Sequence, residues 1–238
     1  SKIPGEKNIS LARQESLRTY PLKNFKLVNL DITQSKQSFL PLNWFSIKEK
    51  YTGLIGGYQN ESYDRNYTLI VEKLREIIPE NSTIITHNPW GEYGHSHHCQ
   101  VFKASFQLAV EKQSELYVDG YYSNLSKFYT KKKIHLLKPD IYPLKTNLEI
   151  YSVLKDHYTK LGCWTWYNDY KLPRLECFYK INLNLNKSSL SKDMKCFDLP
   201  LVFIDHSYPL KYFLFAILKK FIPKFLKNLI RNRINNFN

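Results

Sequence analysis

Between residues 67 and 120 the sequence alternates between two periods, and this limits the possible folds more than any other feature. Apolar residues recur at Leu69, Ile70, Leu74, Ile77 and Ile78, the spacing of a helix face, and Pro79 closes the run. STIITHNP, residues 82–89, reads as a strand entering a turn. Helical spacing returns over residues 98–112, with Phe102, Ser105, Phe106 and Ala109 on one stripe, and ELYVDG, residues 115–120, is a second strand. Strands joined through a helix pair in parallel. The expected class is therefore α/β with a parallel sheet.

The flanks add further elements. A helix is expected over residues 9–20, after Asn8, and a short buried strand in FKLVNL, residues 25–30. Residues 31–64 read as irregular. Residues 131–137 and 175–181 are expected as edge strands, and 148–160 as a helix. The length fits one large domain with an appendage. We place the domain at 1–181, a polar linker at 182–207 and a helical tail at 208–238.

Charge is concentrated in that tail. The net charge is +14, and residues 208–238 carry seven basic side chains and no acidic one. Lys220, Lys224, Lys227 and Arg231 form one stripe, and Leu214, Leu218, Phe221, Phe225 and Leu229 another, with Pro223 as a kink. This pattern suits a helix lying in a membrane interface with its lysines toward anionic lipid. The alternative is a helix docked on the domain itself. Outside the tail the basic residues are scattered, apart from Lys131 to Lys133, which disfavours nucleic acid as a partner. There is no signal peptide and no apolar run of about 18 residues, so the expected location is the cytoplasm, with peripheral membrane attachment. Cys99, Cys163, Cys177 and Cys196 form no CxxC pair and are expected as reduced thiols.

The segment THNPWGEYGHSHHCQVF, residues 86–102, holds four of the seven histidines. It lies just past the carboxyl end of a predicted strand, where open α/β sheets place their sites. His95 and His98 would share one side of a first helical turn, where the helix dipole disfavours imidazolium and leaves the rings able to bind metal or move protons. Gly91 and Gly94 permit close backbone approach. A His-rich polar cap without chemistry is the alternative, and His87 and His97 are expected to be structural or solvated.

THNPWGEYGHSHH resembles the second signature of the LmbE-like, or PIG-L, zinc-dependent N-deacetylases. ARQES (12–16), YDRNYTLIVEKL (63–74) and HYTKLGCWTWYNDYKLPRLECF (157–178) resemble further segments of that family, so the likeness spans roughly residues 6–181. It implies a Rossmann-like three-layer sheet with helices on both faces, and Zn2+ as cofactor. His98 matches a zinc ligand. His95 matches the histidine that acts as general acid or stabilises the tetrahedral intermediate. Tyr93 matches a tyrosine that polarises the acetyl carbonyl, and Arg13 an arginine that contacts substrate. Trp90 and Glu92 would contact substrate or, with Asn88, shape the loop.

One departure is large. The family's earlier His-Pro-Asp-Asp-Glu motif, source of two zinc ligands and the general base, has no counterpart in this sequence. Zinc needs about three protein ligands with a position left for water. Glu6, Glu15 and Asp31 are candidate replacements, but their spacing suggests no ligand pair. The expectation is an amino-terminally incomplete chain, inactive and poorly stable as it stands, from an N-deacetylase acting on an N-acetylated sugar (a glycolipid, lipid-linked sugar or cell-surface glycan). A catalytically degenerate, membrane-associated carbohydrate-binding or scaffold protein is the alternative.

Overall fold

The computed structural model describes residues 6–23, 47–48, 55–56, 61–124, 126–164, 172–183 and 199–204, with single positions at 25, 27, 28, 30 and 32. The chain divides into units 1–203 and 204–238, and the architecture below is that of the first. The elements in order are α1 (Glu6–Arg18), β1 (Ile47–Lys48), β2 (Ile55–Gly56), α2 (Glu61–Ile77), β3 (Thr83–Thr86), a single turn α3 (Gly91–Gly94), α4 (Ser96–Glu111), β4 (Glu115–Asp119) and β5 (Tyr121–Tyr122). They continue with α5 (Lys127–Lys133), a 3-10 turn (Ile134–Leu136), β6 (Leu137–Lys145), α6 (Leu148–Lys160), β7 (Leu175–Ile181) and β8 (Val202–Phe203).

The alternating core of the sequence folds as its periods dictate. β3 and β4 pair in parallel, with Ile84 opposite Leu116 and Thr86 opposite Val118. α4 crosses between them and buries two stripes. Phe102, Phe106 and Ala109 join Ile84, Leu116, Val118, Tyr179 and Ile181 in the main core. Ala104 and Leu108 face Ile70 and Val71 of α2 in a second cluster. A helix apolar on both sides suits this middle layer between sheet and outer helix. Full burial of a side chain the size of Phe102, which is 0% exposed, contributes about 1.5–3 kcal/mol.

The class is α/β with a mixed sheet. Its order is β3-β4-β7-β6, and β7 runs antiparallel to both β4 and β6. Two expectations are corrected here. Residues 175–181 form an interior strand, because Cys177, Tyr179 and Ile181 alternate into the core while both edges of β7 find partners. Residues 131–137 are not a strand. Lysine favours helix, Thr130 Oγ1 donates to the Ser126 carbonyl, and only Leu137 enters β6. β6 is an edge strand, which accommodates Pro139 and Pro143.

The buried strand expected in FKLVNL is not seen at its described residues: Phe25, Leu27 and Val28 lie outside any regular element and are exposed, and Lys26 and Asn29 lie outside the described residues. Helix cover on both sheet faces is also not seen among the described residues. Ile85, Tyr142 and Leu144 point away from the core and are 65%, 45% and 55% exposed. The end of the expected linker belongs to the fold. Leu199 is buried in the main core, the Tyr179 hydroxyl donates to the Pro200 carbonyl at 2.6 Å, and β8 pairs with β5. Most of the linker and the basic tail 208–238 lie outside the described residues. Among the described residues no helix is long and apolar enough to cross a membrane.

Candidate metal centre

β3 ends at Thr86, and residues 87–95 cross the carboxyl edge of the parallel pair before α4 begins. The crossing is held by a buried amide. Asn88 is 0% exposed; its Nδ2 donates to Asp119 Oδ1 at 2.8 Å and to the Tyr121 carbonyl at 2.7 Å. Its Oδ1 accepts the backbone N–H of Trp90 at 3.2 Å and of Glu92 at 3.0 Å. Gly91 has φ 65, and a Cβ there would stand 2.9 Å from Cys99 Sγ, so the turn requires glycine. Glu92 adopts φ 51, ψ −75, a strained backbone for a residue with a side chain. Ser126 Oγ donates to its carbonyl.

This backbone drives the Glu92 side chain inward, to 7% exposure, beneath two imidazoles. Oε1 accepts from His87 Nδ1 at 3.2 Å and from the Asn88 N–H at 3.1 Å, and Oε2 accepts from His98 Nδ1. An imidazole that donates Nδ1–H to a carboxylate presents the lone pair of Nε2. The His87 and His98 rings stack at 3.9 Å and 10°. His95 stacks on the other side of His98 at 4.3 Å, His97 tilts against His95 at 5.3 Å, and Tyr93 meets His95 and His98 edge-on at 5.6 and 5.4 Å.

Burial and the neighbouring charges separate the titrations. Burial alone would raise the Glu92 carboxyl, but hydrogen bonds from His87 and His98 outweigh it and hold the group below the usual carboxylate range. Asp119 is held well above that range, first by burial and then by the negative charge of Glu92. The two carboxyls are thus pushed in opposite directions. Burial, then the proximity of His98 and His97, push His95 down to about 3, so at neutral pH its ring is uncharged. Burial, reinforced by Glu92, pushes the Cys99 thiol up to about 12, which removes it as a thiolate ligand or nucleophile.

His98, His95, Tyr93 and Glu92 are therefore brought together, with Glu92 bonded to two imidazoles where substrate contact or loop shaping was expected of it. Trp90 takes the loop-shaping role: it is 1% exposed, and its indole N–H donates to the Tyr121 carbonyl at 2.7 Å. Arg13 is exposed on α1, and no described contact joins it to the histidines. Glu15 is ion-paired with Arg18 on the same exposed helix and supplies no ligand here. His87 is the residue that sequence reasoning set aside. Its signal was its place immediately past the carboxyl end of β3.

His87, Glu92 and His98 each offer a ligand atom, all within 4.8 Å of one another. Two imidazoles and a carboxylate are a donor set suited to zinc. Comparison of the chain with models of protein families, with curated proteins and with solved structures finds no match.

Proposed function

We propose that this chain carries the metal centre of a zinc-dependent N-deacetylase of the LmbE/PIG-L type, hydrolysing the acetamide of an N-acetylated sugar. The observation that carries the reading is the convergence of His98, His95 and Tyr93 over one buried carboxylate at the carboxyl edge of β3. Those are the residues to which the resemblance gives chemistry.

His98 and His87 would hold the ion through Nε2, with Glu92 orienting both rings from Nδ1. Bound zinc supplies a Lewis acid for the acetyl oxygen and acidifies a water molecule. Tyr93 offers a hydroxyl donor to the acetyl carbonyl. His95 is neutral at neutral pH, which favours it as an N–H donor to the developing oxyanion over an imidazolium acid. Half-exposed His87 leaves the cluster accessible from solvent, while Glu92 stays buried.

A second reading has its own support. A deacetylase needs an ionised carboxylate free to take a proton from water. Glu92 already accepts from His87, His98 and the Asn88 N–H, and burial and the charge of Glu92 push Asp119 toward its protonated form. That favours a scaffold that binds metal or sugar without turnover. Metal content and acetate release from N-acetylglucosaminyl lipid, measured on the chain and on His98→Ala, separate the two. About one zinc per chain, lost in His98→Ala and accompanied by acetate release, supports the enzyme. Zinc without acetate overturns turnover by this chain alone, as the scaffold reading requires, and no zinc in either protein removes the metal centre.

A further inference from the structure

Asn88 lies below the histidine rings, yet its bonds decide where the carboxylate that orients them can be. We propose that Asn88 is a positioning residue for this centre: it fixes Glu92, and through Glu92 the orientation and tautomer of His87 and His98. The inference rests on Glu92 accepting from both rings; only its second readout depends on the metal reading above.

Three observations carry it. The Asn88 amide is fully committed and cannot be turned over. Nδ2 faces two oxygens, on Asp119 and Tyr121, while Oδ1 faces two N–H groups, on Trp90 and Glu92. Next, Asn88 and Glu92 bond reciprocally, Asn88 N–H to Oε1 and Glu92 N–H to Oδ1, so both ends of Glu92 answer to one residue. Lastly, Glu92 sits in a backbone conformation that persists only where its surroundings over-determine it. Asn88 is the link from that strained residue to the end of β4, the neighbouring strand. If the amide is lost, the Glu92 and Trp90 N–H groups lose their acceptor and the carboxylate loses its fixed height under the rings.

The test uses the full chain, metal-free and labelled with 15N-histidine, as wild type, Asn88→Asp and Phe102→Ala. Asn88→Asp keeps the size and the acceptor but sets an oxygen against Asp119 Oδ1 and the Tyr121 carbonyl. In the wild type, His87 and His98 should show protonated Nδ1 and bare Nε2. Asn88→Asp should move both toward the mixed tautomers of free imidazole and weaken Zn2+ affinity about 10–100-fold. Phe102→Ala weakens the core without removing a hydrogen bond of the network and should leave the tautomers unchanged. Unchanged tautomers in Asn88→Asp overturn the proposal, as does an equal shift in Phe102→Ala. If Asn88→Asp does not fold, hydrogen exchange in the wild type decides: the Asn88 side-chain NH2 should exchange far more slowly than exposed amides, and fast exchange overturns the assignment. A wild type that binds no Zn2+ but shows the tautomer shift removes the metal reading and leaves the positioning role standing.

Discussion

The carboxyl edge of β3 and the flank formed by β6 and α6 are built from opposite materials. At the first, polar groups are buried and partnered: Asn88, Glu92, Ser123 and Ser126 are all at or below 5% exposure. At the second, apolar groups are exposed: α6 contains no buried residue, and Leu148 and Leu144 are 61% and 55% exposed. Side chains that need particular hydrogen-bond partners hold one geometry, because an unpaired buried group is expensive. An exposed apolar surface fixes no partner and tolerates replacement. Specific geometry in this chain is thus concentrated where the histidines are.

The widest test of that contrast sets the core under the histidines against α6. Phe102→Ala should lower unfolding free energy by about 3–5 kcal/mol and Leu148→Ala by less than about 0.5 kcal/mol, measured by chemical denaturation. A Leu148→Ala loss approaching that of Phe102→Ala would show that the flank is packed, and the contrast would fail.

The same contrast explains what could be read from the sequence. α2, α4 and the β3/β4 pair were legible because their apolar spacing is set by burial on known faces. The central place of β7 was not, since a period of two reveals a buried face and not the number of neighbours. KKKIHLL misled because a short apolar end can close a helix as readily as begin a strand, and here Ile134, Leu136 and Leu137 are all buried. At the site, His95, His98 and Tyr93 were visible as a spaced group. His87 was not, because its partnership with Glu92 depends on a positive-φ backbone at residues 91 and 92 that no spacing rule reports.

That backbone gives a narrower comparison between two glycines. Gly91 (φ 65) has Cys99 Sγ at 2.9 Å from a built Cβ, whereas Gly162 (φ 71) has nothing within 4 Å. Gly162→Ala pays only for the left-handed conformation, about 1 kcal/mol, while Gly91→Ala adds a collision in a packed interior and should cost about 2–3 kcal/mol. Equal losses in thermal or chemical denaturation would mean that the turn at residue 91 can open, and that the site edge is no more rigid than the surface.

The smallest effect expected here is a pH dependence in which two site residues oppose each other. His95 falls from its ordinary 6.5 to about 3, so between those values the unfolded chain takes a proton that the folded chain refuses. Its contribution to stability is present above 6.5 and is lost as the pH falls toward 3. Asp119 is raised well above 3.8, so its folded carboxyl keeps a proton that the unfolded chain releases, and its contribution is lost as the pH rises through the folded value. Glu92 is lowered from 4.5, so its loss begins only below that value and leaves the range from 4.5 to 6.5 to the other two. The two contributions therefore oppose each other over that range. Removing the imidazole with His95→Gln should make the protein gain, relative to wild type, about 1 kcal/mol between about pH 7 and about pH 5.5, and Asp119→Asn should tilt the curve the other way. Parallel curves for wild type and His95→Gln would mean that His95 takes up its proton in the folded state as readily as in water, and its role as a neutral donor beside His98 would be lost with it.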